Sequence, residues 1–241
     1  MKENNTLKTL RKDLKENTDN KYKKSIQKFF KKDILCYGTK TAKVRKIAKK
    51  HFKNIKNLEK ENVFELSENL LKNKYNEEAL IAIQWTSNYS DEFEKKDFFL
   101  FEKWIEKYID NWAKDDDFCS RILSPLIEKY PELIEKIKLW TQSENMWLRR
   151  ASAVSLIKKA KSCKTKNSLN CIFKISKSLF QDKEDLVQKD YGWLLKAASI
   201  NNQKQVFSFL IENKEKIPKV SLRYATEKMN PKLKTKILEK N

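Results

Sequence analysis

From about residue 20 to the end, apolar residues in this chain recur at helical intervals. Within 22–30, Tyr22, Ile26 and the pair Phe29 and Phe30 fall at i, i+4 and i+7/i+8, one stripe of a helix. In the following segment 41–48, Val44, Ile47 and Ala48 share a face. Further stripes centre on Leu70 and Leu71 and on 79–85, 98–109, 122–127 and 133–140. The second half continues with 147–157, 169–180, 186–200, 206–211 and 220–229. Asn76, Ser143 and Asn202 are residue types suited to N-caps, and Pro131 and Pro218 suit first-turn positions. Tyr130-Pro131 reads as one helix ending while the next begins.

Short connections between helices of roughly 10 to 18 residues predict antiparallel helix pairs. Pairs recurring every ~40 residues predict HEAT-like stacking. The expected fold is therefore all-α, an α-α superhelix of HEAT-like repeats forming a curved solenoid. Its concave face offers an extended binding surface. No linker or low-complexity tract divides the chain, so 1–241 reads as a single domain, with 1–20 as a loosely packed N-terminal helix. Composition agrees: two glycines and four prolines are too few for the turns of a β-rich chain of this length.

Charge adds a partner class. The formal net charge is +20, unevenly placed. Residues 21–60 carry fifteen Lys or Arg against two acids, Asp33 and Glu59, whereas 61–120 carry seven bases against fifteen acids. A uniformly lysine-rich composition would not leave an acidic second quarter. A basic concave face facing a polyanion accounts for the excess, because each neutralised phosphate releases counterions. The four cysteines form no C-x-x-C pair and His51 is the sole histidine, which argues against zinc or iron–sulfur ligation and against a His-dependent triad. The bland reading, reduced and mostly buried thiols, is preferred. No apolar run approaches the ~18 residues of a membrane span, and the N-terminus lacks a signal-peptide core. The expectation is a soluble cytoplasmic protein.

Three clusters carry candidate chemistry. In Asn111-Trp112-Ala113-Lys114-Asp115-Asp116-Asp117, Trp112 and Asp116 stand at i and i+4 and share a helical face. In 143–151, Arg149 and Arg150 lie in the first turns of a helix. In 187–196, Val187, Tyr191, Leu194 and Ala198 form a core stripe that leaves Asp190 and Trp193 on its flank. Each has an ordinary alternative: core packing for a tryptophan, a solvated helix start for three aspartates, surface ion pairs for paired arginines. Gly192 is different. In a helix interior it costs up to ~1 kcal/mol relative to Ala, which points to close approach by another backbone.

Taken together, the segments resemble one family. The chain resembles the AlkD family of DNA alkylation repair enzymes from about Tyr22 to Lys228, a span whose order and spacing carry the likeness. The matching segments include 37–48 (YGTKTAKVRKIA), Asn111-Trp112 with Asp116, 130–133 (YPEL), 145–151 (NMWLRRA), 188–196 (QKDYGWLLK) and 221–228 (SLRYATEK). The resemblance implies a HEAT-like solenoid that hydrolyses N-glycosidic bonds of cationic N3- and N7-alkylated purines in duplex DNA. The same resemblance implies a monofunctional glycosylase of base excision repair that does not flip the base. It assigns the catalytic carboxylate to Asp116, lesion-facing rings to Trp112 and Trp193, and an active-site arginine to Arg150. Supporting DNA contacts fall to Arg149, Lys189, Arg45 and Lys43. No metal or other cofactor is implied, and the expected form is a monomer. The family often has Asp directly after the Trp, where this chain has Ala113. The run 115–117 also permits a one-residue slip, so Asp116 rests on alignment to Pro131 and on its spacing from Trp112.

These residue types suit the reaction. A cationic purine is already a good leaving group, and positive charge passes to the sugar as it departs. A carboxylate beside that carbon stabilises the transition state more than the neutral sugar, and can orient the attacking water. Aromatic faces attract the cation by ~0.5–2 kcal/mol each. An arginine fork can hold a backbone phosphate bidentately. Two alternatives use the same surface without a carboxylate: a non-catalytic protein that binds DNA structure, and a helical-repeat scaffold for an acidic protein partner. RNA binding lacks a supporting aromatic motif.

Overall fold

Helices form where the apolar stripes place them. The computed structural model describes residues 2–163 and 165–239, and among these every regular element is a helix and no strand forms. The chain divides into two compact units, Met1–Ile122 and Leu123–Asn241. Cys119–Leu123, at the division, is a π-helical turn.

The first unit begins with α1 (Lys2–Glu16), whose Leu7, Leu10 and Leu14 recur at i, i+3 and i+7 and are buried. The N-terminal helix expected to be loosely packed is therefore seated, against α3 (Thr41–Phe52) and α4 (Lys60–Lys72). Between them, α2 (Asn20–Gln27) is capped by Asp19, whose carboxylate accepts from the Tyr22 amide at 3.0 Å. It stops short of Phe29 and Phe30, which the periodicity had extended it to include. The Gln27 side chain ends it by bonding Ile34 both ways, accepting from its N–H at 2.9 Å and donating to its C=O at 2.8 Å. That closes 28–33 into a loop.

The core of this unit is aromatic. Phe64 on α4 and Phe101 and Trp104 on α6 (Asp97–Tyr108) pack with centroids 5.6–6.0 Å apart, and Phe118 of α7 (Trp112–Phe118) lies 6.0 Å from Phe101. Trp85 on α5 (Asn76–Ser87) is buried and donates its indole N–H to the Ala48 carbonyl at 3.0 Å. Asn76, expected as a cap, is the first helical residue, with Tyr75 at the cap.

Two buried carboxylates follow at once. Glu77 accepts from the amides of Tyr37, Gly38 and Thr39 at 2.8–3.1 Å. Glu78 accepts from the Tyr37 hydroxyl at 2.6 Å, from Asn73 at 3.0 Å and from both Nε and Nη2 of Arg11. Gly38 itself sits at φ +95°, where a Cβ would lie 2.7 Å from that of Lys23.

The second unit runs α8 (Ser124–Lys129), a 3-10 turn Pro131–Leu133, α9 (Ile134–Trp140), α10 (Met146–Val154), α11 (Ile157–Lys161) and α12 (Lys166–Ser178). It closes with α13 (Asp185–Glu212), α14 (Lys219–Ala225) and α15 (Pro231–Leu238). Pro131 opens its turn as expected, while Pro218 occupies the cap of α14 rather than its first turn. Ser143 is not itself the cap of α10. It accepts from the amide of Asn145, which is. Asn202 does mark the expected break: its backbone is non-helical (φ −135°, ψ 43°), and its side-chain amide donates to the Cys163 carbonyl at 2.9 Å. Phe173 of α12 and Phe209 of α13 stack at 4.1 Å. Cys36, Cys119 and Cys163 are buried and Cys171 is half-buried. No helix among the described residues is long and apolar enough to cross a membrane.

The ~40-residue period reappears as a bonding interval. Trp85 to Ala48 spans 37 residues, Tyr108 to Glu68 spans 40, and Lys114 to Lys74 spans 40. In the second unit, Arg150 to Asp190 also spans 40 and Asn202 to Cys163 spans 39. Within each unit, polar side chains tie an element to its counterpart one interval away.

Gly192 is explained by crowding. A Cβ there would lie 2.8 Å from both the Ser221 carbonyl oxygen and the Tyr224 Cβ. Gly192→Ala is therefore expected to destabilise by about 1–3 kcal/mol, reversing the usual helical preference for alanine. Urea denaturation checks this. A variant more stable than the native chain would show that α14 can move away at no cost.

Candidate functional site

In the first unit the site is built on α7. Asn111, in extended conformation, caps it by accepting from the Ala113 and Lys114 amides, both at 3.1 Å. Trp112 therefore becomes the first helical residue and Asp116 follows one turn later on the same face. Lys114 points the other way: it is buried, and its ammonium donates to the Lys74 carbonyl at 2.9 Å and meets Asp110 at 2.8 Å. Burial lowers its pKa. The carbonyl it reaches belongs to a residue at φ 62°, in the left-handed region.

The three consecutive aspartates have different surroundings. Asp115 is 0% exposed, inside the unit. Asp117 is held by two arginines, Arg45 at 2.6 Å and Arg121 at 2.8 Å. Asp116 is half-buried, on the Trp112 face. Of the three, Asp116 is the one that helical phase sets on the side of Trp112.

Trp112 is half-buried as well. Its indole N–H donates to the Phe29 carbonyl at 3.3 Å, and its ring stacks on Phe30 at 5.3 Å with 22° between planes. Sequence reasoning missed this pairing, because it kept Phe29 and Phe30 on a helical stripe. The polar run Lys31-Lys32-Asp33 just beyond was the available signal that the helix had ended. Arg45 serves α7 as a staple: besides Asp117 it donates to the Leu80 carbonyl at 2.9 Å. Lys43, in the first turn of α3, is exposed.

In the second unit, Arg150 is 3% exposed and directs Nε to Asp190 at 2.6 Å and Nη2 to its second oxygen at 3.3 Å. The guanidinium expected to grip a phosphate thus lies against Asp190, which is buried too. Trp193 lies three residues beyond Asp190 on α13, half-buried. Arg149 bonds Asp182 at 2.6 Å and the Ser143 and Glu144 carbonyls at 2.9 Å, bracing the start of α10. Lys189 pairs with Asp185 at 2.7 Å, and that hydrogen bond raises its pKa. Lys43 is the exposed member of the four supporting basic residues, while Arg45, Arg149 and Lys189 each pair with a carboxylate. Those three hold the scaffold.

A family model described as DNA alkylation repair enzyme matches residues 10–229. Among solved structures, the chain is similar to a protein from Enterococcus faecalis described as a predicted DNA alkylation repair enzyme. The identity is 15% with a TM-score of 0.79, covering 89% of this chain and 98% of that one. No curated protein matches the chain in sequence.

Proposed function

Because the chain belongs to the DNA alkylation repair enzyme family, we propose that it is a monofunctional glycosylase of the AlkD type. It would act as a monomer, hydrolysing the N-glycosidic bond of cationic N3- or N7-alkylated purines in duplex DNA. One observation carries this reading: Asp116 is half-buried on α7, one helical turn from Trp112 and on the same face.

In this mechanism Asp116 sets its negative charge against the sugar carbon as the purine leaves, and orients the water that replaces it. Trp112, fixed by Phe30 and the Phe29 carbonyl, offers its ring to the cationic lesion. Trp193 and Arg150 are assigned to the DNA by the family resemblance. The Asp190 carboxylate would fix the orientation of Arg150. The leaving group needs no strong acid, in keeping with a chain whose one histidine is buried against Asp13 at 2.8 Å.

The test is incubation of the purified protein with methylated duplex DNA, followed by chromatography of the released bases. Free 7-methylguanine or 3-methyladenine, with strands that break only after alkali or heat, is the expected outcome. Tight DNA binding with no base released would leave only the non-catalytic reading.

A further inference from the structure

The loop between α2 and α3 carries an exposed aromatic residue that the proposed reaction does not use. Phe29 is 72% exposed. Its position is nonetheless fixed: its amide donates to Ile26 at 3.0 Å, and the two Gln27–Ile34 bonds at 2.9 and 2.8 Å close the loop around it. The Phe29 carbonyl is the acceptor for the Trp112 indole, and the adjacent Phe30 ring stacks on that indole. The backbone that displays Phe29 outward is therefore the backbone that holds Trp112, one helical turn from Asp116.

The neighbours of this ring define its partner. Lys28, Lys31 and Lys32 are all exposed. An apolar docking partner would have to desolvate three ammonium groups to cover one phenyl ring. A polyanion whose bases carry π faces meets both features together. We propose that residues 28–32 form a DNA-contact loop, in which Phe29 wedges against the base step beside the damaged purine and Lys28, Lys31 and Lys32 approach the flanking phosphates. The inference rests on the reading of duplex DNA as the substrate. Wedging is easiest where stacking is already weakened, so the loop would favour damaged over intact steps and seat Trp112 as it engages.

The test compares wild type, Phe29→Ala, Phe29→Trp and the double variant Lys31→Gln/Lys32→Gln. Each is titrated onto a duplex carrying one N7-methylated purine with 2-aminopurine beside it. Phe29→Ala is expected to bind about tenfold more weakly and to lose the 2-aminopurine brightening that wild type produces, while Phe29→Trp retains both. The lysine variant is expected to lower the salt slope by about 2, close to 0.9 per phosphate released. Because the ring is mostly exposed, an unchanged melting temperature for Phe29→Ala confirms that the fold is not at issue. Native-like affinity and brightening in Phe29→Ala would overturn the wedge. Base release is followed in the same samples. If wild type binds but releases no base, the glycosylase reading fails and the binding arm still decides the loop.

Discussion

Asp116→Asn is expected to slow base release by roughly 10²–10³-fold under single-turnover conditions while leaving duplex affinity equal or slightly higher. The argument is electrostatic. Asn keeps the size and shape of the side chain and one acceptor oxygen but removes the negative charge, so substrate binding is largely kept and the stabilisation of a developing sugar cation is not. Loss of a negative charge near a polyanion does not weaken binding. The neighbouring aspartates make internal controls. Asp115→Asn should act on stability, since that side chain is sealed inside the unit. Asp117→Asn should act through Arg45 and Arg121, loosening α7 against α3 and α5. A fully active Asp116→Asn would remove this residue from the chemistry, and a large loss confined to Asp115→Asn or Asp117→Asn would move the catalytic role elsewhere in the run.

For Arg150→Ala, a loss of about 3–5 kcal/mol in stability is expected, because the variant removes the guanidinium that lies against the buried Asp190 carboxylate. The double variant Arg150→Ala/Asp190→Ala should recover a large part of that loss, which a cycle of urea titrations measures. The DNA role is read separately, at a temperature where the variant is folded. A contact to one phosphate predicts that the salt slope of binding falls by about 0.9. An unchanged slope beside a large loss of stability would show Arg150 to be a structural partner of Asp190 and not a DNA ligand.

What the sequence reveals here depends on how far apart the interacting residues lie. Trp112 and Asp116 share a face because helical phase is local, and four residues suffice to state it. The fates of Asp115 and Asp117 were not legible, since they depend on the interior of the unit and on Arg45, 72 residues away. The ~40-residue period was visible as a recurrence of helix pairs. That the same interval joins Arg150 to Asp190 needed the fold, because a period gives the spacing of elements and not the rotation that turns one side chain towards another. Phe29 and Phe30 were misplaced for a related reason. Amphipathic spacing continues past Gln27 on paper, and only the return of Ile34 to the Gln27 side chain ends the helix there.

Glu77 and Glu78 have a consequence for how this molecule meets its target. These carboxylates make up part of the acidic second quarter, yet both are buried, one satisfied by three amides and the other by Arg11, Asn73 and a phenol. Asp97 is likewise buried against Lys60 at 2.9 Å. These acids are held by donors inside the unit, whereas the lysines of residues 21–60 mostly stand in solvent where a phosphate can reach them. The first unit therefore turns most of the lysines of residues 21–60 to solvent and these acids to its own interior. Its encounter rate with a polyanion should fall steeply as ionic strength rises.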